Sequence, residues 1–207
     1  MNKGKISVIN YGAGNIASVV NMIQHVGGEA EIISCPSNLS NARKLLLPGV
    51  GAFGHAMECL KAGGWLPELD HAVLQRRIPT LGICLGMQLM CKTSEEGQEA
   101  GLGWIDARVR RFDFTQDAVN LKVPHMGWNV VSVSDDSLIS SESIDRRFYF
   151  VHSYYVDCAD KSDEMFICDY GKKFVAGFHR ENIWGVQFHP EKSHRFGMEL
   201  FKKFLEV

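Results

Sequence analysis

Residues 80–88 read TLGICLGMQ, and this stretch decides the fold class. Thr80–Ile83 reads as a strand buried on both faces, and the residues from about Gly86 onward favour a helix. Glycine stands two positions before and two positions after Cys84, which permits a sharp turn between the strand and the helix. The pattern G-x-C-x-G therefore predicts a nucleophile elbow that presents Cys84. The alternative is a buried cysteine at an ordinary junction.

Around this stretch, strands and helices alternate in the first half of the chain, and strands dominate the second half. First-half strands are predicted at Lys5–Asn10, Glu29–Ser34 and Lys44–Leu47, with a helix at Asn15–Val26 and helical stretches up to about Arg76. Second-half strands are predicted at Trp104–Phe112, Trp128–Val133, Phe148–Val156, Met165–Cys168, Phe174–Phe178 and Ile183–Phe188, before a helix at about Phe196–Leu205. We predict one α/β domain over residues 1–207, with a parallel sheet covered on both faces and antiparallel strands that extend or flank it.

The composition is that of a globular protein and argues against several classes of function. A formal net charge of -2 gives no electrostatic reason to expect nucleic acid or an anionic membrane surface as partner. No apolar run has the length of a membrane span, and the start of the chain lacks the apolar region of a signal peptide. The six cysteines contain no C-x-x-C pattern and no tight cluster with histidine. We therefore expect no metal site, and free thiols in a reducing cytoplasm.

A nucleophilic thiol needs a base, and one of the eight histidines has suitable neighbours. His189 follows the apolar run Ile183–Phe188, and Glu191 lies two positions further on. In an extended backbone these two side chains project to the same face, where a carboxylate can orient an imidazole. Pro190 disfavours a helical conformation at His189. We predict a catalytic set of Cys84, His189 and Glu191.

Two glycine-rich stretches complete the set of motifs. Residues 48–54, PGVGAFG, lack the Gly-Lys-Ser/Thr of a phosphate-binding loop, and their glycines permit close approach to a substrate. A peptide there could aim the N–H of Val50 or Gly51 at an oxyanion, as could the N–H of Leu85; a plain turn is the alternative. Residues 12–17, GAGNIA, fit the dinucleotide fingerprint, with Glu31 downstream, but such a match alone is weak. Since the other motifs already form a site, we predict no dinucleotide and no other cofactor.

Together, GICLGMQ (82–88), GVQFHPE (185–191) and PGVGAFG (48–54) resemble the class I, triad-type glutamine amidotransferases. NYGAGN, EEG with GLGW, VPHMGWN, FYFVHSY and HPEKS are similar to the glutaminase subunits of imidazole glycerol phosphate synthases, over essentially the whole chain. The resemblance implies a mixed, mostly parallel central sheet flanked by helices. It also implies hydrolysis of glutamine to glutamate and ammonia, with a thioester on Cys84, His189 as acid and base, and Glu191 orienting His189. The residues implied to bind glutamine or the oxyanion are Gly49, Val50, Gly51, Leu85, Gln88, Glu96, Ser153 and Tyr154.

The resemblance further implies a protein partner. This partner is a (β/α)8-barrel synthase subunit, which forms a heterodimer with the glutaminase. It uses the ammonia to make imidazole glycerol phosphate and aminoimidazole carboxamide ribotide in histidine biosynthesis. Asn15, Met126, Trp128 and Lys192 match positions that face this partner, although Met126 and Trp128 could equally pack in the core. Two alternatives remain open: ammonia supply for amidination of a surface-polysaccharide sugar, and a non-catalytic binding module, which the intact Cys–His–Glu set disfavours.

Overall fold

The computed structural model describes residues 4–115, 121–134, 138 and 146–207, and the strands in them form one mixed sheet. The strands are β1 (Lys5–Ile9), β2 (Glu29–Ile33), β3 (Leu45–Leu47), β4 (Thr80–Ile83), β5 (Thr93–Ser94), β6 (Ala107–Arg111), β7 (His125–Val133), β8 (Arg147–His152), β9 (Tyr154–Cys158), β10 (Glu164–Asp169), β11 (Lys173–Arg180) and β12 (Ile183–Val186). The α-helices are α1 (Ile16–His25), α2 (Phe53–Ala62), α3 (Trp65–Asp70), α4 (Leu85–Leu89) and α5 (His194–Glu206), and a π turn at His71–Gln75 follows α3. Among these helices, none combines the length and apolar composition that crossing a membrane requires.

Parallel strands form the centre of the sheet, in the order β2-β1-β3-β4-β12. Beyond β12 the sheet continues through antiparallel pairs as β11, β10, β7 and β8, while β9 joins β11 to β6. The predicted α/β class, with a mixed sheet built on a parallel centre and flanked by helices, is confirmed. The antiparallel extension matters for function because it places β8 and β9 beside the end of the central strands.

Both faces of the central strands are buried, and this explains their continuous apolar sequence. In β3, Leu45 and Leu47 belong to a core shared with α2 and α3. Leu46, between them, belongs to a second core shared with α1 and α5. Alternate residues of one strand therefore serve opposite cores, as the pleat of a strand requires.

Several predicted strands have other bounds in the structure: β7 begins three residues before the predicted start, and β12 ends two residues before the predicted end. Two further differences have a visible cause. Phe148–Val156 is two strands rather than one, because the chain changes partners after His152: β8 pairs with β7, and β9 pairs with β6. Ser153 lies at this break, where its carbonyl oxygen accepts a hydrogen bond from the N–H of Phe112 at 3.0 Å. The strand predicted from Trp104 begins only at Ala107, since the Trp104 indole donates to Asp70 of α3 at 2.8 Å and anchors the preceding residues there. The first difference comes from strand pairing and the second from a side-chain hydrogen bond, and the periodicity of a sequence reports neither.

Candidate active site

Cys84 lies in a strained turn between β4 and α4. Its φ of 54° and ψ of -111° lie in a region that residues other than glycine rarely adopt. The glycines on either side are needed for close packing. A Cβ on Gly86 would lie 1.9 Å from the carbonyl oxygen of Leu47, and one on Gly82 would lie 2.8 Å from the nitrogen of Met87. The turn thus has the backbone of a nucleophile elbow, as the glycine spacing predicts.

The register of the central strands brings the segment after β12 to Cys84. Ile83 pairs with Val186 in parallel register, and the N–H of Cys84 donates to the carbonyl oxygen of Val186 at 2.7 Å. Residues that follow β4 and β12 therefore meet at the carboxyl ends of the parallel strands, which is where α/β proteins bind ligands. The first of them, Gln187, donates from Nε2 to Sγ of Cys84 at 3.7 Å.

His189 and Glu191 form a buried pair at the same edge. Nδ1 of His189 lies 2.8 Å from Oε1 of Glu191, and each side chain is only 2% exposed. The predicted pairing is present, but the predicted extended backbone is wrong, because Pro190–Lys192 forms a 3₁₀ turn. Ser193 braces this turn: its Oγ donates to the carbonyl oxygen of His189 at 2.6 Å and accepts from the N–H of Tyr149 at 3.0 Å.

The surroundings of His189 favour its charged form. Burial lowers the pKa of His189, but the interactions with Cys84 and with Glu191 outweigh burial and raise the pKa to about 10. Nε2 of His189 is buried and has no hydrogen bond of ordinary geometry to a described residue. An imidazole oriented through Nδ1 thus keeps Nε2 available for proton transfer beside a thiol.

A cavity of about 330 Å³ opens over Cys84 and His189. Of the residues predicted to bind glutamine or the oxyanion, those that line the cavity are Val50, Gly51, Leu85, Gln88, Glu96, Ser153 and Tyr154. Glu191 lies behind His189, and Gly49 lies beneath the cavity, where a Cβ would be 2.7 Å from the nitrogen of Gly86. The volume suits a small polar molecule, and the wall carries a thiol, the imidazoles of His152 and His189, and amide and carboxylate groups.

The glycine loop on one side of the cavity is held from both ends. At its start, the hydroxyl of Tyr11 donates to the carbonyl oxygen of Pro48 at 2.9 Å. At its end, Oε2 of Glu96 accepts the N–H of Phe53, the first residue of α2, at 2.9 Å. A Cβ on Gly14 would lie 3.2 Å from the Pro48 side chain, so this glycine of GAGNIA lets the loop pack closely. The segment that resembled a dinucleotide fingerprint is therefore part of the support of the cavity.

Several residues at the site had no predicted role. Gln187 lies inside the GVQFHPE motif, and Tyr11 lies inside NYGAGN, so a sequence signal existed for both. Gln187 Oε1 accepts from Nε2 of Gln88 at 2.9 Å, which joins two predicted motifs. His125 and His152 are also buried and lie inside VPHMGWN and FYFVHSY, and His152 lines the cavity. Their contact has no signal in the sequence, because the two histidines are 27 positions apart.

The residues predicted to face a partner lie largely on one surface. Met126 and Trp128 of β7 are 61% and 47% exposed, so packing in the core, the alternative for both, is wrong. Trp128 is paired across the strands with Tyr149, and Nζ of Lys192 lies 5.8 Å from the ring of Tyr149. Asn15 caps α1, since its Oδ1 accepts the N–H of the residue three positions on at 3.5 Å. We call Met126, Trp128, Tyr149 and Lys192 the β7 face.

Comparison with known proteins adds to this geometry. The family model of class-I glutamine amidotransferases matches residues 7–207. The imidazole glycerol phosphate synthase subunit HisH 2 of Pseudomonas aeruginosa is 49% identical, over 98% of this chain and 99% of that protein. The subunit of the same name from Methanococcus maripaludis is 46% identical, over 97% and 98%. Among solved structures, that of PurLQS from Thermotoga maritima has a TM-score of 0.77 at 15% identity, over 99% of this chain and 98% of the other, which is a likeness of fold alone.

Proposed function

Because the chain belongs to the class-I glutamine amidotransferase family, and within it to the HisH subunits of imidazole glycerol phosphate synthase, we propose that the cavity over Cys84 is where glutamine is hydrolysed. The protein is a glutaminase of histidine biosynthesis, and the alternative of ammonia supply to a polysaccharide sugar is not favoured by these relatives. The observation that carries the assignment of the site is the arrangement of Cys84 at the elbow beside a His189 held by Glu191.

The proposed reaction proceeds in two steps at this site. The thiolate of Cys84 attacks the side-chain carbonyl carbon of glutamine, and the C–N bond breaks as Nε2 of His189 gives its proton to the leaving nitrogen. The products of this step are ammonia and a thioester on Cys84. His189 then takes a proton from water, which attacks the thioester and releases glutamate. Glu191 keeps the imidazole oriented throughout and stabilises its charge.

Peptide groups of the glycine loop and of the elbow are proposed to hold the oxyanion. Val50, Gly51 and Leu85 all line the cavity, and Gly51 has a φ of 108° that a side chain would strain. Gly49 permits the loop to rest on α4, which brings the two sets of peptide groups together. An oxyanion bound in this way is stabilised by preorganised N–H dipoles and not by a formal positive charge.

The partner is proposed to be the other synthase subunit, a barrel that docks on the β7 face and receives the ammonia. The cavity over Cys84 and the β7 face are directly connected, because the backbone N–H of His189 donates to the backbone carbonyl oxygen of Tyr149 at 2.9 Å. An exposed tryptophan beside a methionine is typical of the centre of a protein interface.

Glutamine turnover with and without the partner tests the proposed function. The chain alone should turn glutamine over slowly, and the synthase subunit with its own ligand should raise the rate by roughly tenfold or more, with a modest change in KM. A Cys84→Ala chain mixed with the same partner is the control for contaminating glutaminase. Full activity without the partner would contradict activation by docking, and no activity in the complex would contradict the function itself.

Substitutions on the β7 face test where the partner docks. Trp128→Ala should weaken partner binding by roughly 1–4 kcal/mol, as expected for a buried aromatic anchor. Lys192→Ala should reduce the stimulation by the partner more than it reduces basal hydrolysis, because Lys192 directly follows Glu191. Ile32→Ala is a matched control, since Ile32 is a 53% exposed apolar residue on β2, at the other end of the sheet. Titration calorimetry showing equal affinity for all three variants would place the partner elsewhere.

A further inference from the structure

Two buried histidines form a hydrogen-bonded pair beside the cavity. His125 of β7 and His152 of β8 stand directly opposite each other, and they are 2% and 6% exposed. Nδ1 of His125 lies 3.0 Å from Nε2 of His152. Nδ1 of His152 in turn lies 2.7 Å from the carbonyl oxygen of Tyr154, a residue that lines the cavity.

The groups that are hydrogen-bonded to this pair determine which ring nitrogens carry a proton. A carbonyl oxygen only accepts, so Nδ1 of His152 carries a proton and donates to Tyr154. A neutral His152 then offers Nε2 as an acceptor, and His125 must donate to it from Nδ1. Nε2 of His125 is left as an acceptor and lies 3.4 Å from the side-chain amide nitrogen of Asn129. One arrangement of protons therefore satisfies every contact, provided that both rings are neutral.

The environment keeps both rings neutral. Burial lowers the pKa of His152 to about 3 and the pKa of His125 to about 4. The hydrogen bond to the carbonyl of Tyr154 opposes burial at His152, whereas His125 and His189 lower the pKa of His152 further. Tyr170 stacks on His125 with 4.0 Å between ring centroids. Phe112, Phe150 and Phe174 pack around both rings. A charge on either ring would be buried among apolar rings, with no counter-ion in the part of the chain that the structure describes.

The Tyr154 carbonyl that this pair holds also orients Gln88. Nε2 of Gln88 donates one hydrogen bond to this oxygen at 3.2 Å and another to Oε1 of Gln187 at 2.9 Å. Both hydrogens of the Gln88 amide are therefore used in hydrogen bonds. Rotating this amide by half a turn would place its oxygen beside two acceptor oxygens. Gln88 lines the cavity, so the group it can offer a ligand there is Oε1, a hydrogen-bond acceptor.

We propose that His125 and His152 are positioning residues for substrate recognition, because they fix the Tyr154 carbonyl that turns the acceptor oxygen of Gln88 toward the glutamine. The inference rests on the proposed function, since it names how that site recognises its substrate. Gln88 then accepts from a nitrogen of the substrate, which glutamine presents at its carboxamide and at its α-ammonium group. His152 also lines the cavity, but its two ring nitrogens are taken by His125 and by the carbonyl oxygen of Tyr154. We therefore expect the pair to act on recognition through Gln88 and not on the thiol.

Two probes of the same thiol separate recognition from reactivity. Alkylation by iodoacetamide needs a reactive Cys84, whereas labelling by the diazo-ketone analogue of glutamine also needs the glutamine site. His152→Phe keeps a ring but removes both hydrogen bonds, and it should slow labelling by the analogue by about tenfold or more. The rate with iodoacetamide at Cys84, followed by mass spectrometry of each cysteine, should stay within about twofold, because the thiol–imidazole pair is untouched.

Conservative variants distinguish positioning from mere packing. The side-chain nitrogen of asparagine can take the place of Nδ1, so His152→Asn should restore most of the labelling rate with the analogue. His125→Phe should slow the analogue less than His152→Phe, because His152 keeps its own bond to Tyr154. Unchanged labelling of His152→Phe by the analogue would overturn the inference, as would an equal loss with both probes that asparagine does not restore. All variants are labelled in complex with the synthase subunit, and a wild-type complex whose Cys84 reacts with iodoacetamide but not with the analogue would instead refute the proposed function.

Discussion

Replacing Cys84 with alanine is expected to reduce glutamine hydrolysis by roughly 1,000-fold or more, because covalent catalysis is lost with the thiol. The free energy of unfolding should change by less than about 1.5 kcal/mol, since alanine removes one partly accessible sulfur atom and keeps the backbone of the elbow. Activity assays of the complex, together with chemical denaturation of the isolated chain, measure the two quantities separately.

The other cysteines provide the control for this prediction. Cys91, Cys158 and Cys168 are buried, and burial raises the pKa of each thiol, to about 12 for Cys158 and Cys168. Cys35 is exposed, and a hydrogen bond with Ser37 lowers its pKa, so iodoacetamide should modify it as well as Cys84. The glutamine analogue should modify Cys84 alone. Equal labelling of another cysteine by the analogue would show that the elbow thiol is not the specific nucleophile.

His189→Asn is expected to lower turnover by about 100- to 10,000-fold, because the variant loses the proton donor and acceptor of both steps. Glu191→Gln should cost less, since it leaves the imidazole in place and removes only its anionic partner. The two variants should also differ in pH dependence. In Glu191→Gln, only the interaction with Cys84 still opposes the lowering of the His189 pKa by burial. The pKa of His189 should therefore fall below its value of about 10.

The direction of the pH effect follows from the proposed role of His189 as proton donor. Because the protonated imidazole delivers a proton to the leaving nitrogen, activity is lost as pH rises through the pKa of His189. The alkaline limb of the kcat profile should therefore move to lower pH in Glu191→Gln. An unshifted limb, or a loss in thiol alkylation as large as that of His189→Asn, would contradict the separate roles of the two residues.

Much of the central architecture could be predicted from the sequence because its determinants are local. The glycines around Cys84 are required by contacts within the turn and with the neighbouring strand, so their spacing reports the elbow. The pairing of His189 with Glu191 was also predictable, although the backbone that achieves it is a 3₁₀ turn and not a strand. There, Pro190 and the brace from Ser193 decide the local conformation, and a two-residue spacing alone does not reveal this.

Features that depend on strand pairing were not predictable. The break after His152 arises because β8 and β9 have different neighbours, and no glycine or proline separates the two aromatic-rich strands in the sequence. The contact of His125 with His152 likewise depends on the register of β7 against β8. Gln187 illustrates the intermediate case, since its motif was recognisable but its hydrogen bonds to Gln88 and Cys84 require the folded sheet.

The brace at Ser193 has a thermodynamic consequence for the whole protein. Through it, the backbone of His189 and the backbone of Tyr149 are tied together on both sides, so neither can shift alone. A partner that favours one arrangement of the β7 face must then favour one arrangement of the imidazole of His189. Linkage is reciprocal: whatever factor the docked partner adds to the affinity for glutamine, bound glutamine must add to the affinity for the partner. Because docking is expected to change KM only modestly, bound glutamine should change the affinity for the partner only modestly as well.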